Sequence, residues 1–451
     1  MDTLTTEQQS VVKALAEGKN VFMTGPGGTG KSYLIGLLQT CLESLIGPEA
    51  NMCNKKVNVH ITALTGCAAL LLGPKAKTLH SWSGIGLGKE DPVDLVWKIN
   101  RNGRAKKLWR SVDLLVIDEI SMLTAELLEK LNEIGQRMRK NFDKPFGGIQ
   151  LLLVGDFYQL PPVIKDGKGS FAFESYHWPT IIHRTIELKE IHRQKDPVFQ
   201  KLLCEIRLGD LSAEGEALLR SRMGLPWQSQ KIRPTLLFPK NADVDMINQV
   251  NLKALKGRPV TYKAQYGYAS SKVADKTRPM DPSFVQTVTN MDRDAMYRTE
   301  LTLLTGAQVM LIVNLSVEKG LVNGSRGVVV GFTEKTADKD DGDIPIVEFL
   351  NGMRIPIPTH NWEIEGHPGV YRNQIPLRLA WACTIHKAQG ATLDCALVDI
   401  GDNTFECGQA YVALSRVKSL DSLYVHDFDR AAIRANKKVW EFYETLPKET
   451  V

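Results

Sequence analysis

Apolar residues along the chain gather in short runs. Each is closed by a glycine or an acidic residue and most lead into a helix-length amphipathic stretch, a spacing that predicts βα units around parallel sheets. The runs are Val21 to Thr24, Val57 to Leu64, Leu114 to Ile117, Ile149 to Val154 and, much later, Leu377 to Thr384 and Ala396 to Ile400. Their division into an early and a late group predicts two α/β halves. Between the groups, Lys256 to Glu300 is polar and poor in long apolar runs. The pieces LTLLTGAQVMLIV, SRGVVVGF, IPIVEFL and MRIPIPT follow, punctuated by Asn323-Gly324 and Asn351-Gly352. Asn-Gly between alternating apolar strands signals a hairpin, so these pieces predict a small β-barrel-like module inserted into the second half. A shorter insertion, Ser81 to Lys107, interrupts the first.

Composition narrows the picture modestly. With 43% hydrophobic and 24% charged residues, the 451-residue chain has the makeup of an ordinary globular protein able to bury a sizeable core. Lys and Arg number 56 against 51 acidic residues, and the net charge of +5 confines any nucleic-acid footprint to a local patch. The seven cysteines are scattered without zinc-ligand spacing and read as reduced, packed thiols. No apolar run approaches the roughly 20 residues of a membrane span. The amino terminus, MDTLTTEQQS, lacks a signal core or an arginine-rich transit pattern, so an intracellular protein with no membrane partner is expected.

The candidate chemistry begins at Gly25. The stretch GPGGTGKS fits G-x-x-x-x-G-K-[ST], in which backbone amides of Gly25, Gly27, Gly28, Thr29 and Gly30 wrap a phosphate chain, Lys31 meets the outer phosphates and Ser32 holds Mg²⁺. The strand LLVID ends in Asp118 and Glu119, suited to completing the Mg²⁺ shell and to deprotonating an attacking water. Alone, such an acid pair is as readily a helix start. Gln159, held before Pro161-Pro162, is placed to sense a γ-phosphate. Arg193 and Arg416 are the candidates for neutralising transition-state charge. On the nucleic-acid side, Thr65-Gly66, the stretch Thr78 to Trp82 with His80, and TIHKAQG from Thr384 through His386 and Lys387 supply the hydroxyls, lysine and amides that contact phosphates, while Trp82 and Tyr158 could stack bases. Lys98 to Arg110 is a basic run with an aromatic, read either as a solvated helix face or as a phosphate-backbone patch.

In order, LTTEQQ, GPGGTGKS, ALTGCAALL, KTLHSW, VIDEIS, FGGIQLLLVGDFYQLPPV, IHRQKDPVF, LTGAQVMLIVNL, GLVNGSRGVVVGF, CTIHKAQGATLD and YVALSRVKSLDSL resemble the motif series of superfamily-one (1B) DNA helicases, most closely the RecD-like petite-integration-frequency branch. The likeness runs from Leu4 to about Leu423. It implies an α/β fold of two RecA-like parallel-sheet domains: domain 1A over 1–80 and 108–188, a wedge insertion 1B over 81–107, domain 2A over 189–255 and 375–451, and an inserted domain 2B over 256–374 with an SH3-like β module. It further implies an ATP- and Mg²⁺-dependent, 5′-to-3′ DNA helicase. In this reading Gln8 reads adenine and Gly390 joins Gln159, Arg193 and Arg416 in coupling the γ-phosphate to domain closure. Thr65, His80, Thr384, His386 and Lys387 grip single-stranded DNA, beside Lys240 and Asn241. Single-stranded, duplex and forked DNA are the implied partners of a monomeric motor in the nucleus or another DNA-containing compartment, with quadruplexes and RNA–DNA hybrids as further candidate substrates and replication, repair, recombination or telomere maintenance as its setting. His192 departs from the branch, standing where an aromatic often precedes the arginine, and the branch's long amino-terminal extension is absent. Two alternatives stay open on the residues alone: an RNA-directed helicase with 2′-hydroxyl contacts, and a nucleotide-dependent binding switch that does not unwind.

Overall fold

The structure is a computed structural model that describes residues 4–46, 57–73, 75–86, 88–162, 170–227, 232–268, 282–295, 297–316, 318–333, 343–364 and 370–446. Part of the polar 256–300 stretch and Cys53 lie outside the described residues, as do the side chains of Cys41, Cys67 and Asn241. The chain forms two compact units, the first comprising Met1–Ser221, Ile400–Leu420 and Phe428–Val451, the second Arg222–Asp399 and Asp421–Asp427. Among the described residues no helix is long and apolar enough to cross a membrane.

The first unit is built on a six-stranded parallel sheet. Its strands are β1 (Val21–Thr24), β2 (Val59–Ala63), β3 (Lys77–Thr78), β4 (Leu114–Asp118), β5 (Gln150–Val154) and β6 (Arg184–Glu187), in the order β3-β2-β4-β5-β1-β6. Every residue of β1, β4 and β5 is buried, which is why these strands read as continuous apolar runs instead of alternating ones. Successive side chains serve opposite cores. Val21, Met23, Val116 and Leu152 join helices α1 (Thr6–Ala16) and α2 (Lys31–Ile46) on one face, whereas Phe22, Leu115, Ile117 and Leu153 face the other. There they meet α4 (Leu79–Ser83), α5 (Pro92–Arg101), α6 (Gly103–Ser111) and α7 (Ala125–Arg139), with α3 (Gly66–Leu71) following β2. The Ser81 to Lys107 insertion is therefore helical and anchored, through Trp82, Leu95, Ile99 and Ala105, in the core of this unit.

The second unit holds a sheet of β7 (Thr235–Phe238), β18 (Ala382–Thr384), β19 (Ala396–Ile400) and β20 (Leu423–Phe428), ordered β18-β7-β19-β20 and parallel across β18-β7 and β7-β19. Its SH3-like module is an antiparallel sheet ordered β14-β13-β12-β11-β17, formed by β11 (Gln308–Leu311), β12 (Arg326–Phe332), β13 (Pro345–Phe349), β14 (Arg354–Pro356) and β17 (Leu377–Leu379) around Val309, Val329, Val347 and Leu377. Two smaller sheets, β8 (Val260–Lys263) with β10 (Glu300–Leu303), and β9 (Gln265–Tyr268) with β15 (His360–Glu363) and β16 (Val370–Gln374), complete it.

Two expectations are refined here. Asn351-Gly352 does close a hairpin, with Gly352 at φ 81° and Glu348 opposite Arg354. Asn323-Gly324 ends a longer excursion between β11 and β12, where Asn314 Oδ1 accepts from the Asn323 amide and the Gly324 amide donates to Leu311 O. The run from Leu377 to Thr384 is two strands, not one. β17 pairs antiparallel with β11, and β18 pairs parallel with β7, so the two apolar halves enter different sheets.

Candidate nucleotide and nucleic-acid site

The phosphate loop leaves the carboxyl end of β1 and turns into α2, so its amides crown a helix N-terminus, where backbone N–H groups and the helix dipole favour anions. Two glycines are fixed by their surroundings. Gly28 sits at φ 91°, and a methyl group there would lie 2.7 Å from Arg193 Cβ; Gly30 sits at φ 85°, and a methyl there would meet Gln8 Nε2 at 2.7 Å. Gln8 is itself locked by a capping box: its Oε1 accepts from the Thr5 amide while Thr5 Oγ1 accepts from the Gln8 amide. Lys31 Nζ donates to Gly25 O at 2.6 Å and Pro26 O at 2.8 Å, and lies 3.4 Å from Thr29 Oγ1. Burial pulls its ammonium down to about 8, against the opposing pull of Asp156, Glu119 and Asp118.

β4 delivers the acid pair. Asp118 is buried and its Oδ1 accepts from the Glu119 amide at 2.9 Å. Burial, then the Glu119 charge, pushes the Asp118 carboxyl up to about 7. Glu119 adopts a left-handed backbone, φ 57°, a conformation costly for a side chain with a Cβ and frequent where function dictates geometry. Ser32 Oγ and the Asp118 carboxylate are hard oxygen donors that suit Mg²⁺. Among the described residues, no group of three or more His, Cys, Asp or Glu gathers as an all-protein metal cage, in keeping with an ion held largely by phosphates and water.

The arginines complete this site. Arg416 is only 2% exposed; its Nε donates to Val412 O and its Nη2 to Ser415 Oγ, both at 2.7 Å. A methyl group on Gly27 would lie 3.6 Å from that same Nη2. Burial and the neighbouring Arg193 lower the Arg416 guanidinium to about 9. Arg193, likewise lowered by burial, donates through Nη1 to Ser415 O at 3.0 Å. Two guanidiniums are thus confined beside the phosphate loop at an electrostatic cost that a polyanion would offset. Gln159 is buried one turn beyond β5, its amide donating to Asp156 O.

Several residues of this centre escape motif reading. Tyr411 Oη accepts from the Gly27 amide at 2.8 Å, and Gln194 Nε2 donates to Ser415 O and Val417 O. Asp156 is fully buried in a bidentate pair with Arg207, 2.9 and 3.0 Å, whose guanidinium lies over the Tyr158 ring. Tyr443, from the helix Lys437–Thr445, stacks on Tyr158 and brings its hydroxyl to Asp156 Oδ1 at 3.3 Å and Thr24 Oγ1 at 2.5 Å. The acid after a strand and the tyrosine beside the YVALSR arginine had signals in the sequence; Tyr443 had none.

Expectations for base stacking need correction. Trp82 is 2% exposed, packs on Trp109 and donates from Nε1 to His60 Nδ1 at 2.6 Å, and Tyr158 is enclosed between Arg207 and Tyr443. Neither presents a face to a base. Thr65 Oγ1 accepts from the Ala68 amide at the start of α3, where Gly66 is the first residue, and half-buried His80 opens α4 behind Thr78. In the second unit Thr384, also 2% exposed, caps the turn Ile385–Ala388 by accepting from the Lys387 amide, which leaves His386 and Lys387 half-exposed and Gly390 in a left-handed turn, φ 78°. Lys240 is exposed at the N-cap of Asn241–Ala254.

Fold and site together define a phosphate-loop protein built on RecA-like parallel sheets. Comparison sharpens the class: residues 3–217 match the PIF1-like helicase family and residues 289–332 the 2B domain of DNA helicase Pif1. The chain belongs to the PIF1-like helicase family. It is 39% identical over 449 residues to the ATP-dependent DNA helicase PIF1 of Xenopus laevis, covering 99% of this chain and 65% of that protein. The chain therefore spans about two thirds of the length of that curated relative. The crystal structure of Pif1 helicase from Candida albicans is 38% identical, with 98% of this chain and 99% of that one covered and a TM-score of 0.78. Pif1 from Bacteroides in complex with ADP-AlF3 and single-stranded DNA is 28% identical, with 98% and 96% covered and a TM-score of 0.65.

Proposed function

We propose that this chain is an ATP-dependent DNA helicase that moves 5′ to 3′ on single-stranded DNA and displaces the complementary strand. The observation that carries the reading is the pair of guanidiniums, half-buried Arg193 and buried Arg416, against the phosphate loop. A nucleotide-binding module needs only the loop. Two arginines confined where the γ-phosphate belongs suit charge that grows during hydrolysis.

In this mechanism Gln8 selects the base, while Lys31 and the loop amides hold the outer phosphates. Ser32 and Asp118 would hold Mg²⁺, which when bound would neutralise negative charge on the phosphates. Glu119 orients the attacking water and takes its proton. Arg193 and Arg416 stabilise the transferring phosphoryl group, and Gln159 and Gly390 relay its presence. Thr65, His80, His386, Lys387, Lys240 and Asn241 form the strand grip, with Thr384 shaping its turn. Such contacts to backbone are largely independent of base sequence, as translocation requires. Single-stranded and forked DNA are the substrates, a single chain is the working motor, and the setting is replication, repair, recombination or telomere maintenance in a DNA-containing compartment. The single-stranded DNA bound to Pif1 from Bacteroides supports this choice over RNA.

The test is strand displacement with ATP and Mg²⁺ on two partial duplexes identical except for a 5′ or a 3′ single-stranded tail. Unwinding of the 5′-tailed duplex alone is expected. Unwinding of the 3′-tailed duplex alone overturns the polarity, and hydrolysis that single strands do not accelerate overturns the motor in favour of a binding switch.

A further inference from the structure

The segment from Pro92 to Ser111, α5 and α6, carries six basic residues against one acid, Asp94. That surplus equals the net +5 of the whole chain, so the remaining residues are balanced overall. Lys98 is neutralised by Glu90 at 3.0 Å. Among the described residues, no carboxylate lies within ion-pair distance of Arg101, Arg104, Lys106, Lys107 or Arg110. Unpaired cations at this density on two short helices repel one another, and a polyanion would relieve that repulsion.

The same surface carries an open aromatic. Trp97 is 63% exposed, with the Arg101 guanidinium 4.5 Å from its ring centroid, one turn along the helix. Leu95 and Ile99 of α5 and Ala105 and Trp109 of α6 are buried in the sheet's core, so both helices are held in fixed orientation while Trp97 points away. Arg104, Lys107 and Arg110 recur every three residues, the spacing that lines one side of a helix. A membrane surface would require a continuous apolar face, and here only Val93 accompanies Trp97.

We propose that α5 and α6 form a docking surface for a single-stranded DNA segment, with one base stacked on Trp97 beside Arg101 and the phosphates running along Arg104, Lys107 and Arg110. This rests on the DNA reading above and gives it a stacking residue in place of the buried Trp82. Stacking on an aromatic is sequence-tolerant because every base has a π face, and phosphate contacts add the salt dependence.

The experiment is fluorescence anisotropy of the full chain with a labelled oligothymidine and a blunt duplex of equal length across a salt series. Trp97→Ala is expected to weaken single-strand binding by about 5- to 150-fold, the range for loss of one stacked base, with the duplex little affected and Trp97→Phe recovering most of the loss. Replacing Arg104, Lys107 and Arg110 together by Ala is expected to lower the slope of log affinity against log salt by about 2. Trp97→Ala binding like the parent, or weakening both DNAs equally, overturns the proposal. If the parent binds and neither variant differs, only this inference falls; if the parent binds no DNA, the helicase reading falls with it.

Discussion

Two strand-to-helix turns in this molecule carry the proposed chemistry, and they are built to different standards. The GPGGTGKS loop of the first unit is enclosed: Gln8, Arg193, Tyr411 and Arg416 each come within contact or hydrogen-bond distance of it, and no Cβ fits at Gly28 or Gly30 without displacing one of them. The TIHKAQG turn of the second unit is a single capped helical turn whose His386 and Lys387 remain half-exposed. A phosphoryl-transfer site must be preorganised to a fraction of an ångström, because charge is stabilised only where dipoles already point. A site that must grip and release a moving strand gains from side chains that stay solvated.

The sharpest way to break this comparison is at its rigid end. Lys31→Ala is expected to lower ATP turnover at least 10³-fold, below detection in a coupled phosphate-release assay; a variant retaining turnover would refute the loop's role. Arg416→Ala follows, with kcat lowered about 10²- to 10³-fold and KM for ATP changed far less, since transition-state charge is what the guanidinium meets. Phe442→Ala, which removes the ring stacked 4.2 Å from Phe173, should cost about 3 kcal/mol in denaturant unfolding. At the solvated end, Lys387→Ala should weaken single-strand binding by only about 3- to 10-fold and reduce the salt slope by about 0.7, one phosphate contact. The smallest effect concerns pH. Asp118 has a folded value of about 7, above its ordinary 3.8, so the folded chain holds this proton more tightly and stability falls as pH rises through that window, then levels off. Asp118→Asn should remove this component. Its melting temperature relative to the parent should climb between pH 4 and 7 without nucleotide, and a constant difference would show that the carboxyl is not strained.

What the sequence made legible follows from which forces are local. Strands β1, β4, β5 and β19 stand within a residue of their apolar runs because each is buried on both faces, and the phosphate loop's glycines announce backbone conformations only glycine adopts freely. The misjudged positions depend on partners far along the chain. Trp82 was open to a stacking reading until His60, twenty-two residues earlier, and Trp109 closed over it. The break between β17 and β18 is set by the separate demands of β11 and β7, which no pattern within Leu377 to Thr384 encodes. Trp97 was readable in principle, since Leu95 and Ile99 define the buried stripe of α5 and leave position 97 on the opposite side.

The helix Lys437–Thr445 lies downstream of every recognisable motif, yet Phe442 packs against Phe22, Phe157 and Trp178, and Tyr443 reaches Asp156 and Thr24. A saturation mutagenesis map of this protein should therefore show intolerance at 442–443, well downstream of the last motif. Trimming the gene back to its final motif would remove a plug from the wall of the first sheet.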